Sequence, residues 1–203
     1  MGGASGLGSA AHISGVMSRR SLFALPILPA LPAGAQTRSR YEFDQSGGRI
    51  GFSARHLGLF TSQGQFDRFR ATLWIDPANP GTARVECVVE TGEVTIPFPG
   101  ATDMLRSEAY FDIARHPTAR FEGTANGLGD SGGFPIAGQL AVRGITRPFR
   151  MTAQLIERRT EAGREVARFQ AEGEMRRGEF GMVADRAIIS DVIRLSVDVR
   201  IAI

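Results

Sequence analysis

Few residues in this 203-residue chain have the types and spacing to do chemistry, and each can be weighed individually. Gly129-Asp130-Ser131-Gly132-Gly133 sets a serine among glycines, and His56 and Asp103 precede it, so the residue types of a Ser-His-Asp triad are present. A triad needs those three groups together, with backbone donors ready for the oxyanion. The segment 126–133, NGLGDSGG, is also what a tight hairpin turn requires, because Asn and Gly tolerate positive φ. An exported serine hydrolase using His56, Asp103 and Ser131 is therefore the alternative function, not the leading one.

Metal chemistry has less support. His56 and His116 are far apart, and no paired His, Cys or carboxylate spacing accompanies them, so no metal ligand is assigned. Cys87 is the single cysteine, which excludes an intrachain disulfide. Its alternation with Val85 and Val89 marks it as a small buried apolar residue. His56 ends an apolar strand face and is expected to be satisfied by backbone, or else to meet a polar ligand group. Arg106 and Arg177 are expected to pair with Asp103, Asp112 or Glu179, or else to face the ligand as cations. Trp74 shares a face with Arg70 and Thr72 and should point outward. No catalytic set emerges, and no enzymatic activity is expected.

The elements that must position these residues are strands. Apolar residues alternate through Ile50–His56, Phe69–Ile75, Val85–Val89, Val94–Ile96, Ala119–Phe121, Ile136–Val142, Phe149–Leu155, Ala167–Ala171 and Ile193–Ile203. A period of two gives each strand one wet and one dry face. Glycine- and proline-rich turns separate the runs, so the expected fold is all-β: a single antiparallel eight-stranded, lipocalin-like barrel or, failing closure, a sandwich. The inward faces mix large residues with small ones, including Ala54, Ala71, Gly138, Ala153 and Ala171, and small inward residues are expected to leave space. Alternation breaks only in 102–123, where a short helix near 103–112, capped by Thr102 or Asp103, is expected to cover one barrel end.

Residues 1–35 stand outside this pattern. Ser18-Arg19-Arg20-Ser21 precedes a proline-broken apolar stretch and Ala33-Gly34-Ala35, the layout of an export signal with twin-arginine character. Met17 is a possible true start, and the mature domain is expected to be 36–203. The apolar stretch is too short and broken to span a bilayer, so a periplasmic or secreted product is expected. All 24 basic residues are arginine, which inflates the isoelectric point. The formal charge of +3 is small, and the arginines are scattered among acids. Nucleic-acid binding is not expected.

Taken in order, several short motifs resemble the YceI-like family of exported, lipocalin-like polyisoprenoid-binding proteins. They are Ile50-x-Phe52-x-x-x-His56, Gly64-x-Phe66-x-x-Phe69, Asp103-Met104-Leu105-Arg106-Ser107, Phe111-Asp112, His116-Pro117-x-x-x-Phe121, Gly138-Gln139-Leu140 with Gly144-x-Thr146-x-Pro148, Arg177-Gly178-Glu179-Phe180-Gly181 and Ser190-Asp191-Val192. The resemblance implies a carrier whose lumen holds a polyisoprenoid or isoprenoid quinone, with no other cofactor. The residues expected to hold it are Phe52, His56, Phe66, Phe69, Leu73, Leu105, Tyr110, Phe111, Phe121, Leu140, Phe149, Phe169 and Phe180. A barrel with a packed core and a stress-response role is the remaining alternative. A monomer and a homodimer are both compatible with the final strand.

Overall fold

Each alternating run becomes a strand in the computed structural model, which describes residues 38–76, 79–129 and 132–202. The proposed export signal lies outside the described residues. The strands are β1 (Ser39–Asp44), β2 (Gly48–His56), β3 (Phe60–Phe66), β4 (Phe69–Asp76), β5 (Asn79–Glu90), β6 (Val94–Thr95), β7 (Thr118–Ala125), β8 (Phe134–Val142), β9 (Ile145–Glu161), β10 (Arg164–Arg176) and β11 (Ile189–Ala202). One helix, α1 (Ala101–Arg106), and a 3-10 turn over Arg177–Phe180 complete the described elements.

These eleven segments form one antiparallel sheet in the order β1-β4-β5-β7-β8-β9-β10-β11-β2-β3-β6. Their register reduces them to the eight expected strands. Ser39 opposes Ile75 and Asp44 opposes Arg70, and the same hairpin resumes with Ile50 against Phe66 and His56 against Phe60. β1–β2 and β3–β4 are thus two long strands, each bent once. β5–β6 bends alongside them: Phe69 pairs with Val89 and Phe66 with Val94. Across this bend Asp67 N–H donates to the Glu93 carbonyl at 2.7 Å and Glu90 N–H to that of Arg68 at 3.0 Å, so few ladder bonds are lost. β11 closes the sheet on β2, with Val199 opposite Gly48 and Ile193 opposite Ala54. The result is a closed up-and-down barrel.

Up-and-down order sends alternate connections to opposite ends. One end receives 57–59, the long connection 96–117, the Arg143-Gly144 turn and 177–188. The other receives the β4–β5, β7–β8 and β9–β10 connections. At the first end the connections are tied together: Leu57 N–H donates to the Ile188 carbonyl at 2.8 Å, and Arg143 Nη1 to the Gly181 carbonyl at 2.9 Å. The far end is sealed by Ile75, Ala83 and Ala125 packed with Tyr41, Leu73 and Ile136.

The helix departs from its expected bounds. α1 ends at Arg106, and 107–115 continues as turns. Its N-cap is Gly100, at φ 74°, with no side-chain cap from Thr102 or Asp103. Ser107 ends it in an extended conformation, and its hydroxyl donates back to the Met104 carbonyl at 2.7 Å. The hydroxyl that could prolong an N-terminus elsewhere here satisfies a C-terminal carbonyl.

Gly138 also differs from expectation. A Cβ on Gly138 would lie 2.0 Å from the Glu122 carbonyl oxygen, so this glycine permits close strand approach and leaves no gap. Gly64 seats the ring of Phe52, whose Cζ would be 2.3 Å from an added Cβ.

Candidate functional site: an apolar lumen with one polar end

The inward side chains do not fill the barrel. They enclose a cavity of about 480 Å³, within the range of sites that take small organic ligands. Its walls follow the period-two pattern: Ala71, Leu73 and Ile75 from β4, Val85, Cys87 and Val89 from β5, Phe149, Met151 and Ala153 from β9, and Leu195, Val197 and Val199 from β11. The alanines provide the open space assigned to them in the sequence.

Of the residues expected to hold a ligand, Phe52, His56, Phe66, Leu73, Leu105, Tyr110, Phe111, Phe121, Leu140, Phe149 and Phe169 line this cavity. Phe52, Phe66 and Phe111 form a ring chain, with centroids 5.5 and 5.7 Å apart. Phe121 meets Phe149 edge-to-face at 5.6 Å. Phe69 and Phe180 do not reach the lumen. Phe69 follows the bend directly and packs with Ile50 and Val89, its ring edge-on to Phe43. Phe180 sits in the 3-10 turn and packs with Val142, Phe149 and Met182, which makes it part of the end wall.

Polar atoms collect at the end nearest the long connections. His56 Nε2 and Ser62 Oγ are 2.6 Å apart, and both residues line the cavity. A hydroxyl can donate or accept, so this pair holds in either histidine tautomer. The partner is a side chain on the neighbouring strand, not the expected backbone group. Tyr110, 4% exposed, donates its hydroxyl to Asp185 at 2.6 Å. Burial, reinforced by this acceptor, pushes the phenol up to about 12.

Arg177 lines the cavity. It is 2% exposed and forms none of the expected ion pairs. Its Nε donates to the Ser190 carbonyl at 3.0 Å, Nη1 to Met182 at 2.9 Å and Nη2 to Ile189 at 3.0 Å. The guanidinium lies 5.9 Å from the Tyr110 ring centroid. A buried cation clamping three carbonyls fixes the 177–190 connection beside the cavity that it lines. Arg106 braces the opposite connection: its Nε donates to the Gly92 carbonyl at 2.8 Å, and Asp103 lies 3.9 Å from Nη1. Asp112 is met by Arg115 at 2.6 Å.

His56 and Asp103 do not pair: His56 meets Ser62, and Asp103 is exposed on α1 beside Arg106. Ser131 lies outside the described residues. Cys87 is part of the cavity wall, and burial pushes its thiol up to about 12. Trp74 points outward, under Arg84 at 5.3 Å.

Residues 41–201 match the model of the YceI-like domain. The chain belongs to the YceI-like family. It is 29% identical over 187 residues to a UPF0312 protein of Pectobacterium atrosepticum, covering 90% of this chain and 97% of that protein. A UPF0312 protein of Pseudomonas aeruginosa is 29% identical over 188 residues, covering 90% and 97% respectively. The barrel is similar to that of BcnA from Burkholderia cenocepacia, with TM-score 0.67, 16% identity, and 77% of this chain and 98% of that one covered. It is also similar to the Campylobacter jejuni YCEI protein, with TM-score 0.64, 19% identity, and 73% and 89% covered. A polyisoprenoid binding domain from Saccharophagus degradans, implicated in plant cell wall breakdown, gives TM-score 0.56 at 12% identity, with 81% and 98% covered. At these identities the likeness is one of fold.

Within this YceI-like barrel, sequence reasoning missed Ser62, Met175 and Ile193 as cavity residues. The period of two carried the signal: Ser62 alternates with Phe60 and Gly64, and Met175 with Ala171 and Gly173.

Proposed function

We propose that this YceI-like protein is a non-enzymatic carrier of a long-chain prenyl lipid, either a polyisoprenoid or an isoprenoid quinone, in the periplasm. The observation that carries this function is the lumen: one continuous apolar cavity whose polar side chains, His56, Ser62, Tyr110 and Arg177, gather at one end. An amphiphile with a long tail and a small head matches that distribution. The polyisoprenoid binding domain with the same fold supports this choice of lipid.

The energetics permit it. Burying ~15 methylene equivalents at about 0.8 kcal/mol each stabilises the complex by roughly 12 kcal/mol before association and ordering costs. Those costs remove several kcal/mol and leave micromolar or tighter binding within reach. The paired arginines and apolar stretch before residue 36 support export.

Organic extraction of protein purified from its native envelope fraction, followed by lipid mass spectrometry, tests the function. A co-purifying or exchangeable prenyl lipid is expected. Repeated recovery of folded protein that neither carries nor takes up a prenyl alcohol rules it out.

A further inference from the structure

We propose that the end of the barrel bearing the long connections docks onto an anionic lipid bilayer, and that ligand passes between membrane and lumen through this contact. The proposal rests on the lipid-carrier function above and names the surface from which the ligand is collected.

The exposed large apolar residues are unevenly distributed. Of the ten among the described residues, seven (Leu57, Leu59, Phe60, Phe98, Met104, Val183 and Ile188) belong to the connections at this one end or their immediate flanks, while Leu128, Leu155 and Ile156 lie elsewhere. Leu59 is 82% and Phe60 67% exposed. A soluble protein normally scatters such residues singly, and their collection at one site marks an interaction surface.

The rim is continuous with the cavity. Phe60, Phe98 and Met104 are exposed to solvent and also line the lumen, so apolar surface runs unbroken from the outside to the tail-binding walls. At the far end, the cavity-lining residues Ile75, Ala83 and Ala125 are buried. A water-insoluble tail entering by this route never needs to be hydrated if the rim rests in the bilayer interface.

Two cations flank the rim. Arg55 stands two residues before Leu57 and Arg186 two residues before Ile188; both are exposed and neither forms an ion pair among the described residues, whereas the exposed acids Asp103 and Glu108 of this end are met by Arg106 and Arg115, and Asp185 accepts from Tyr110. Apolar side chains flanked by free arginines suit the boundary between acyl chains and anionic headgroups.

The test compares wild type with a Leu57→Asn/Leu59→Ser/Ile188→Ser variant. None of these side chains lines the cavity. Asparagine suits position 57, whose φ is 50°. Flotation with vesicles of phosphatidylethanolamine and phosphatidylglycerol measures docking, and titration with geranylgeraniol in vesicle-free buffer measures the lumen. Wild type should float, and the variant should lose vesicle binding by about tenfold or more while binding geranylgeraniol equally. The single variant Leu59→Ser, at the most exposed position, gives a smaller loss in the same direction if the triple variant does not fold. Unchanged flotation of a variant that binds geranylgeraniol overturns the docking proposal, as does wild type that never floats. Rim-dependent self-association without flotation also overturns it and assigns the face to a second copy. Failure of wild type to bind geranylgeraniol is a separate result, which removes the carrier function whatever the vesicles show.

Discussion

Tyr110 and Asp185 join the two long connections over the barrel mouth through a 2.6 Å hydrogen bond between residues 75 positions apart in sequence. The bond places an aromatic ring against Ala54 and Ile189 and within 5.9 Å of the Arg177 guanidinium. It is a hydrogen-bonded link between the connection carrying Leu105 and Phe111 and the one carrying Arg177, beside the packing of Leu105 and Tyr110 in one cluster with Ala184.

Tyr110→Phe keeps the ring and removes the bond. Its expected cost is about 0.5–1.5 kcal/mol, because Asp185 is exposed and water can take the place of the lost donor. Ligand exchange should quicken. The pH dependence has a definite sign: burial raises the folded phenol from 10.0 to about 12. Its contribution is complete below pH 10.0 and is lost as pH rises from there towards about 12. Urea midpoints measured across that window should fall more steeply for wild type than for Tyr110→Phe; parallel curves would assign the alkaline loss to other groups.

Arg177→Lys should be more damaging than its conserved charge suggests. Three carbonyls, on Ser190, Met182 and Ile189, lose a planar donor that reaches all of them. An ammonium offers three hydrogens from one point and cannot span that fork. A loss of about 3 kcal/mol or more is expected in chemical denaturation, with Arg177→Met no worse than Arg177→Lys. A lysine variant of wild-type stability would show that charge alone matters at this position.

At the other extreme of pH, Asp198 should contribute to acid sensitivity. Hydrogen bonds from Arg168 (Nε at 2.9 Å) and Gln170 (2.9 Å) bring its carboxyl down to about 2, against opposing desolvation. A lowered folded pKa gives stability above the unfolded value of 3.8, lost as pH falls from there towards about 2. The pair is one-third exposed, so solvent screening limits the contribution to about 1 kcal/mol. Asp198→Asn should flatten that part of the acid unfolding curve, and an unaltered acid limb would refute the assignment.

What the sequence made legible was whatever a period of two controls. Ala71, Leu73, Val85, Phe149 and Phe169 face the lumen because alternate residues must, and closure follows once every dry face needs covering. Phe69 and Phe180 escaped that logic because each sits beside a bend or turn, where the period resets. Arg177 escaped it because its partners are backbone carbonyls of its own connection and the start of β11, 5 to 13 residues on, and only tertiary structure reveals which backbone groups lack donors. Gly138 looked like empty space, but it accommodates the Glu122 carbonyl of the next strand.

That last distinction decides how the lumen should be blocked. Gly138→Phe would drive a side chain into backbone and report on folding alone. Ala71 lines the cavity and stands opposite Cys87 in the β4–β5 register, so a larger residue there projects into open space. Ala71→Phe should fold at a cost of about 1–3 kcal/mol from crowding and should lose prenyl-lipid uptake. Cys87 reports the same event. Its thiol, pushed up to about 12 by burial, should alkylate slowly in the empty barrel and more slowly still once geranylgeraniol is bound. Wild type in which lipid leaves the alkylation rate unchanged, or Ala71→Phe that still takes up lipid normally, would place the ligand somewhere other than this lumen.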